Sequence, residues 1–209
     1  MIDTTQNNDP WVYVQDKVVP DELCDEIIKK FDESQDRQFQ GRIGDGDVKP
    51  FVKTSTDLNM AQWSDWQHLS HPLLNILNKQ MHLYMKFCSK QTRESFSTGA
   101  LIPLMPNYVE IKADGFQLQK TPPGKGYTWH SDCFPGRLIT YIFYLNSVEE
   151  GHTEFYSGAK VQPQKGRICI FPADWTYFHQ GRPPMQDKYI AIGWMRQTIN
   201  LENLTNISC

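Results

Sequence analysis

The sequence has no surplus of positive charge. Its 209 residues carry 21 Lys and Arg against 24 Asp and Glu, a formal net charge of -3 with a pI near 6.1. No continuous phosphate track is available, so nucleic-acid binding is disfavoured. There is no apolar run of about 18 residues, so no membrane span is expected. The N-terminal MIDTTQNNDPWVYV is polar and acidic and lacks the basic-then-apolar pattern of a secretory signal. Cysteine is sparse: Cys24, Cys88, Cys133, Cys169 and Cys209, none in CxxC spacing. This excludes a disulfide framework and reads as free thiols in a reducing compartment, giving a cytoplasmic expectation. No repeat and no low-complexity tract is present. With 39% hydrophobic and 12% aromatic residues, the chain is neither disordered nor fibrous.

The chain divides into a helical first part and a strand-rich second part. From Pro20, DELCDEIIKKFDES places Leu23, Ile27, Ile28 and Phe31 at helical spacing, with acids early and lysines late. QFQGRIGDGDVKP follows as a glycine-containing loop, expected to be mobile. A second helix is predicted to begin between Trp63 and Pro72 and to run to about Ser89, with Leu73, Leu74, Leu77, Met81, Tyr84 and Met85 as a packing stripe. After Pro106, short β-branched and aromatic runs alternate with turns: NYVEIKA, GFQLQKT, GYTWHSD, RLITYIFYLN, TEFYSG, AKVQPQ, GRICIFP and KYIAIGWM. These imply an antiparallel sandwich or barrel supported by two helices.

Chemistry concentrates in YTWHSD. His130 and Asp132 stand two apart, a spacing that turns both side chains to one face of an extended segment. His179, in WTYFHQG, is a third candidate. Two imidazoles and one carboxylate on one side of an ion leave the other side open, the arrangement that suits non-heme Fe(II). The helical HExxH of zinc proteases is absent. Lys188 begins an otherwise apolar strand, DKYIAIGWM; it either meets water at the strand edge or points inward, where a buried ammonium demands an anion such as the distal carboxylate of a dicarboxylate.

Taken together, YTWHSD, RLITYIFYLN, EEGHTEFYS, VQPQKGRICIFP and HQGRPPMQDKYIAIGW resemble the Fe(II)/2-oxoglutarate-dependent dioxygenases of the prolyl hydroxylase subgroup, over about residues 108 to 196. The resemblance implies a mainly β fold, a double-stranded β-helix (jelly-roll) with supporting N-terminal helices. It implies one domain over residues 1–209, with 1–105 as helical support and substrate-side elements and 106–197 as the catalytic core. His130, Asp132 and His179 would bind iron. Lys188 would hold the C5 carboxylate of 2-oxoglutarate, with Tyr144 or Thr140 adding a hydroxyl, Trp194 beside the cosubstrate and Tyr127 at the pocket mouth. The implied cofactors are Fe(II), 2-oxoglutarate and O2, with ascorbate as auxiliary reductant. Glycine is common in relatives where this chain has Glu150, and His152 fills a slot that is usually small or acidic. Thr121 departs further, since many prolyl hydroxylases place a tyrosine there.

The implied activity is hydroxylation of a C–H bond, prolyl 4-hydroxylase-like on a peptidyl residue. Hydroxylation of a free amino acid or other small molecule is the second reading, and a non-catalytic metal-binding scaffold the third. Partners are therefore a protein, peptide or small-molecule substrate. Arg137 either braces Asp132 or is exposed. The loop Gly41 to Pro50, the KTSTDLN segment and the CFPG turn are the expected substrate side, and Phe39, Phe51, Trp63 and Trp66 either line a groove or pack.

Overall fold

The computed structural model describes residue 3 and residues 5–44, 46–95 and 109–199. The start of NYVEIKA and Cys209 lie outside them.

Helix α1 (Asp21–Glu33) forms where the spacing predicts it. Asp21 and Glu22 sit in its first turn and Lys30 in its last, each opposing a pole of the helix dipole. Cys24, Ile27 and Phe31 are buried. Helix α2 (Gln67–Ser95) is longer than its apolar stripe foretold and contains Pro72. Leu69, Leu73, Leu77, Met81 and Tyr84 recur every three or four residues and are buried.

The strands are β1 (Tyr13–Gln15), β2 (Phe39–Gln40), β3 (Thr56–Asn59), β4 (Val109–Ala113), β5 (Gln117–Thr121), β6 (Tyr127–His130), β7 (Arg137–Tyr144), β8 (Thr153–Phe155), β9 (Lys160–Val161), β10 (Arg167–Pro172), β11 (His179–Gly181) and β12 (Lys188–Ile199). The major sheet runs β1-β10-β7-β12-β5-β3-β2, with β4 on the far half of β12; the minor sheet runs β6-β11-β8-β9. Every pairing among these strands is antiparallel. Strand β12 is the hub: Lys188–Ile192 pair with β5, Met195–Ile199 with β4, and its other edge with β7.

Alternation along the strands divides two cores. Tyr141 and Phe143 of β7, Ile168 and Ile170 of β10, and Tyr189 and Ala191 of β12 face the helices. Their neighbours Ile142, Tyr144, Cys169, Phe171, Ile190 and Ile192 face inward and meet Phe155 and Val161 of the minor sheet. Helices therefore cover one face of the major sheet and the minor sheet covers the other. This is the jelly-roll with N-terminal helical support that the resemblance implied. On the helical side, Asp32 of α1 accepts from the Tyr189 hydroxyl and, together with Asp187, pairs with Lys120, tying the helix to β5 and to the start of β12.

Candidate active site

A cavity of about 440 Å³ opens between the two sheets. His130 ends β6 and His179 begins β11, and the two are direct cross-strand partners. Asp132 lies just beyond β6 and bends back toward both. Its carboxylate oxygens stand 3.9 Å from His130 Nε2 and 3.8 Å from His179 Nε2. One ligand atom from each of the three residues falls within 4.8 Å of the others. Each imidazole is oriented by its far nitrogen: His130 Nδ1 lies 2.8 Å from the Thr128 carbonyl and His179 Nδ1 2.9 Å from that of Tyr177. A proton on each Nδ1 leaves both Nε2 lone pairs directed at the shared centre.

Burial, reinforced by the neighbouring His179, lowers the His130 pKa to about 3, so this ring is a neutral donor at physiological pH. Burial alone would raise the Asp132 carboxyl; His179, His130 and the Thr140 hydroxyl outweigh it and keep the group ionised. Two ring nitrogens and one carboxylate, pre-aimed and largely buried, are a donor set that fits a ferrous ion with open positions.

Deeper in the cavity, Lys188 is 5% exposed. Its Nζ donates to the Gly151 carbonyl at 2.8 Å, and no carboxylate pairs with it among the described residues. Burial lowers its pKa to about 8. A buried cation facing a cavity without a counter-ion is poised for an anion. The strand-edge alternative for Lys188 is thereby removed.

Other expected residues need correction. Thr140 does not face the cavity; its hydroxyl donates to Asp132 at 2.8 Å and braces the carboxylate. Tyr144 is fully buried, and its hydroxyl is engaged 2.7 Å from Thr153 Oγ1. Thr153, not Tyr144, lines the cavity near Lys188. Trp194 and Tyr127 do line it, Tyr127 stacked on the His130 ring with centroids 3.4 Å apart. Arg137 is neither exposed nor hydrogen-bonded to Asp132. Its guanidinium lies 3.5 Å from the Trp194 ring centroid and 5.3 Å from that of Phe134, and its buried Nε has no partner. Of the four aromatics, Phe39 lines the cavity, Trp66 is wholly in the core, Trp63 packs against it, and Phe51 is 81% exposed.

Sequence reasoning also passed over a polar wall. Gln117 and Gln119 of β5 and Asn59 of β3 face the cavity, because Leu118 and Leu58 between them turn to the core. Gln117 donates to Asp57, which also accepts from Lys53 and Ser55. The signal was the alternation in GFQLQKT, which placed these amides on one face.

Residues 116–196 match the family model described as 2OG-Fe(II) oxygenase superfamily. The chain also resembles solved prolyl hydroxylases in fold. One is a Trichoplax adhaerens prolyl hydroxylase in complex with a peptide fragment of the hypoxia inducible factor oxygen degradation domain: TM-score 0.70, 16% identity, covering 96% of this chain and 89% of that one. A Pseudomonas putida prolyl-4-hydroxylase gives 0.61 at 14% identity, covering 88% and 92%. A viral collagen prolyl hydroxylase from Paramecium Bursaria Chlorella virus-1, as its 2OG complex, gives 0.58 at 18% identity, covering 89% and 96%. No curated protein matches the sequence. No helix among its described residues is long and apolar enough to cross a membrane.

Proposed function

We propose that this 2-oxoglutarate-dependent dioxygenase hydroxylates a peptidyl residue, with proline first in line. The observation that carries the reading is the pairing of an open His130–Asp132–His179 centre with the unpaired, buried Lys188 ammonium in one cavity. His130, Asp132 and His179 would hold iron from one side. Lys188, with the Thr153 hydroxyl, would take the distal carboxylate of 2-oxoglutarate, and Ile190 and Ile192 would flank its methylenes. When bound, the iron and cosubstrate supply the coupling of 2-oxoglutarate decarboxylation to insertion of one oxygen atom into a C–H bond. The protein's own part is to orient and to exclude water. Thr140 fixes the carboxylate, the Thr128 and Tyr177 carbonyls fix the two rings, and Tyr127 shields His130.

For the substrate, the wall of Asn59, Gln117 and Gln119 supplies paired donors and acceptors without charge, which suits main-chain amides. Arg137 is held over Trp194 with an unmet donor, which suits a carbonyl oxygen. The Trichoplax relative is described in complex with a peptide, which favours the same class. We further propose that residues 1–209 act as one domain, that the protein works in the cytoplasm, where its described cysteines stay free thiols, and that ascorbate keeps the iron ferrous.

The test is succinate formation from 2-oxoglutarate with Fe(II), with and without a blocked proline-containing peptide or free L-proline. We expect the peptide to stimulate turnover and free proline not to. Stimulation by free proline alone would replace the peptidyl reading with the small-molecule one. Absence of any 2-oxoglutarate turnover in protein that binds Fe(II) would leave a metal-binding scaffold.

A further inference from the structure

Among the described residues, Lys188 is aimed by a single acceptor, the Gly151 carbonyl. What holds that carbonyl is therefore what aims the ammonium. Glu150 and Gly151 both adopt left-handed backbone, with φ of 59° and 69°. For Glu150 this region is sparsely populated and unfavourable, so the turn persists only if its surroundings over-determine it. On one side, the Gly151 amide donates to the Pro183 carbonyl at 3.2 Å. On the other lies Gln162, which is 3% exposed. Its Nε2 donates both to the Val148 carbonyl at 2.6 Å and to the Glu150 carbonyl at 2.9 Å, so one carboxamide spans the turn.

Gln162 is itself fixed. Its amide donates to Thr5 Oγ1 at 3.1 Å, and its carbonyl accepts from Arg167 at 2.8 Å. Arg167 is 1% exposed and also donates to Asp3, Thr5 and Asp16. A polar chain thus runs from the exposed Asp3 and Asp16 through the buried Arg167 and Gln162 to the 148–151 turn, and from there to Lys188. Thr153, the hydroxyl that lines the cavity, begins β8 two residues further on.

We propose that Gln162 is a positioning residue for the anion site. It touches neither metal nor cosubstrate; its carboxamide locks the turn so that the Gly151 carbonyl and Thr153 present Lys188 and a hydroxyl to a distal carboxylate. The inference rests on the 2-oxoglutarate reading above.

The test compares two probes under anaerobic conditions with Fe(II). 2-Oxoglutarate has the distal carboxylate; pyruvate has the same keto-acid head without it. Gln162→Met keeps length and volume and removes both donors. We expect its Kd for 2-oxoglutarate to rise roughly tenfold, in the range seen when supporting hydrogen bonds around a site are cut, with pyruvate and Fe(II) affinity within about twofold of wild type. A general loss of structure would weaken both keto acids together. Should Gln162→Met not fold, Gln162→Asn, which retains a carboxamide on a shorter arm, is expected to show the same selective loss. Unchanged 2-oxoglutarate affinity, or equal loss for both probes, overturns the role of Gln162. Wild-type protein that binds Fe(II) but neither keto acid overturns the functional reading beneath it, and the inference falls with that reading.

Discussion

Thr140 and Lys188 carry the clearest residue-level consequences. Thr140→Val preserves shape and removes the hydroxyl that Asp132 accepts from. We expect Fe(II) affinity to fall about 10-fold or more, as is usual when a ligand loses its outer hydrogen bond; unchanged affinity in a metal titration would contradict the bracing role. Lys188 has a folded-state pKa of about 8 against an ordinary 10.5. Between those values the unfolded chain holds the proton and the ligand-free fold does not, so the Lys188 contribution to stability rises across this window. Its affinity for a dicarboxylate has the opposite slope, because the cation is lost as pH climbs past 8. We expect the Kd for 2-oxoglutarate to increase from pH 8 upward in wild type and to stay flat in Lys188→Arg, measured calorimetrically. A flat wild-type profile would mean that Lys188 is not the anchor. The residue types of the centre were legible because the segments around His130, Asp132 and His179 resemble the dioxygenase family; the HxD pair alone is a weak signal. Which hydroxyl faced the cavity was not: Thr140 and Tyr144 share strand parity, but their hydrogen-bond partners come from elsewhere, Asp132 from the segment after β6 and Thr153 from β8.

At the scale of elements, strands with β-branched or aromatic runs were readable: β7 and β10 lie within their predicted segments, and β12 begins with KYIAIGWM but runs on to Ile199. The short strands β1, β2, β3 and β11 were not. HQG has no strand propensity of its own, and β11 exists because β6 and β8 flank it. The loop joining β2 to β3 was read as mobile from its glycines. Arg42, Ile43, Gly44 and Gly46 line the outer cavity, and the loop closes on itself through an Ile43–Asp47 bridge. Val48 and Phe51 in it are exposed, so we expect its amides to exchange faster than those of β7 without substrate and to slow on addition of a peptide that is turned over. Exchange as slow as the core in both states would rule out a lid.

Across the whole molecule, the major sheet separates a structural core from a chemical one. The helices pack on one face and the cavity opens on the other. The strand periodicities underlie this division, since the same strand alternates between the two sides. They did not foretell the half-buried place of Arg137, because a strand-initiating arginine is ordinarily solvated and here its guanidinium lies over the Trp194 and Phe134 rings. Leu77→Ala on α2 empties a site in the structural core. We expect it to lower stability by about 2–5 kcal/mol while leaving Fe(II) and 2-oxoglutarate affinity of the folded protein unchanged. Coupled loss of stability and affinity would show that the two cores are not independent.

The central claim is that three side chains gather one ferrous ion while Lys188 secures the far end of its organic partner. Anaerobic titration of Fe(II)-loaded protein with 2-oxoglutarate, followed by visible absorption, tests it most directly. The claim requires a weak charge-transfer band that saturates in wild type, is lost in His179→Ala, and in Lys188→Ala needs about 30-fold or more 2-oxoglutarate, matching the 2–5 kcal/mol cost of breaking a buried charge pair. No band in wild type, or the same titration curve in all three proteins, would contradict it.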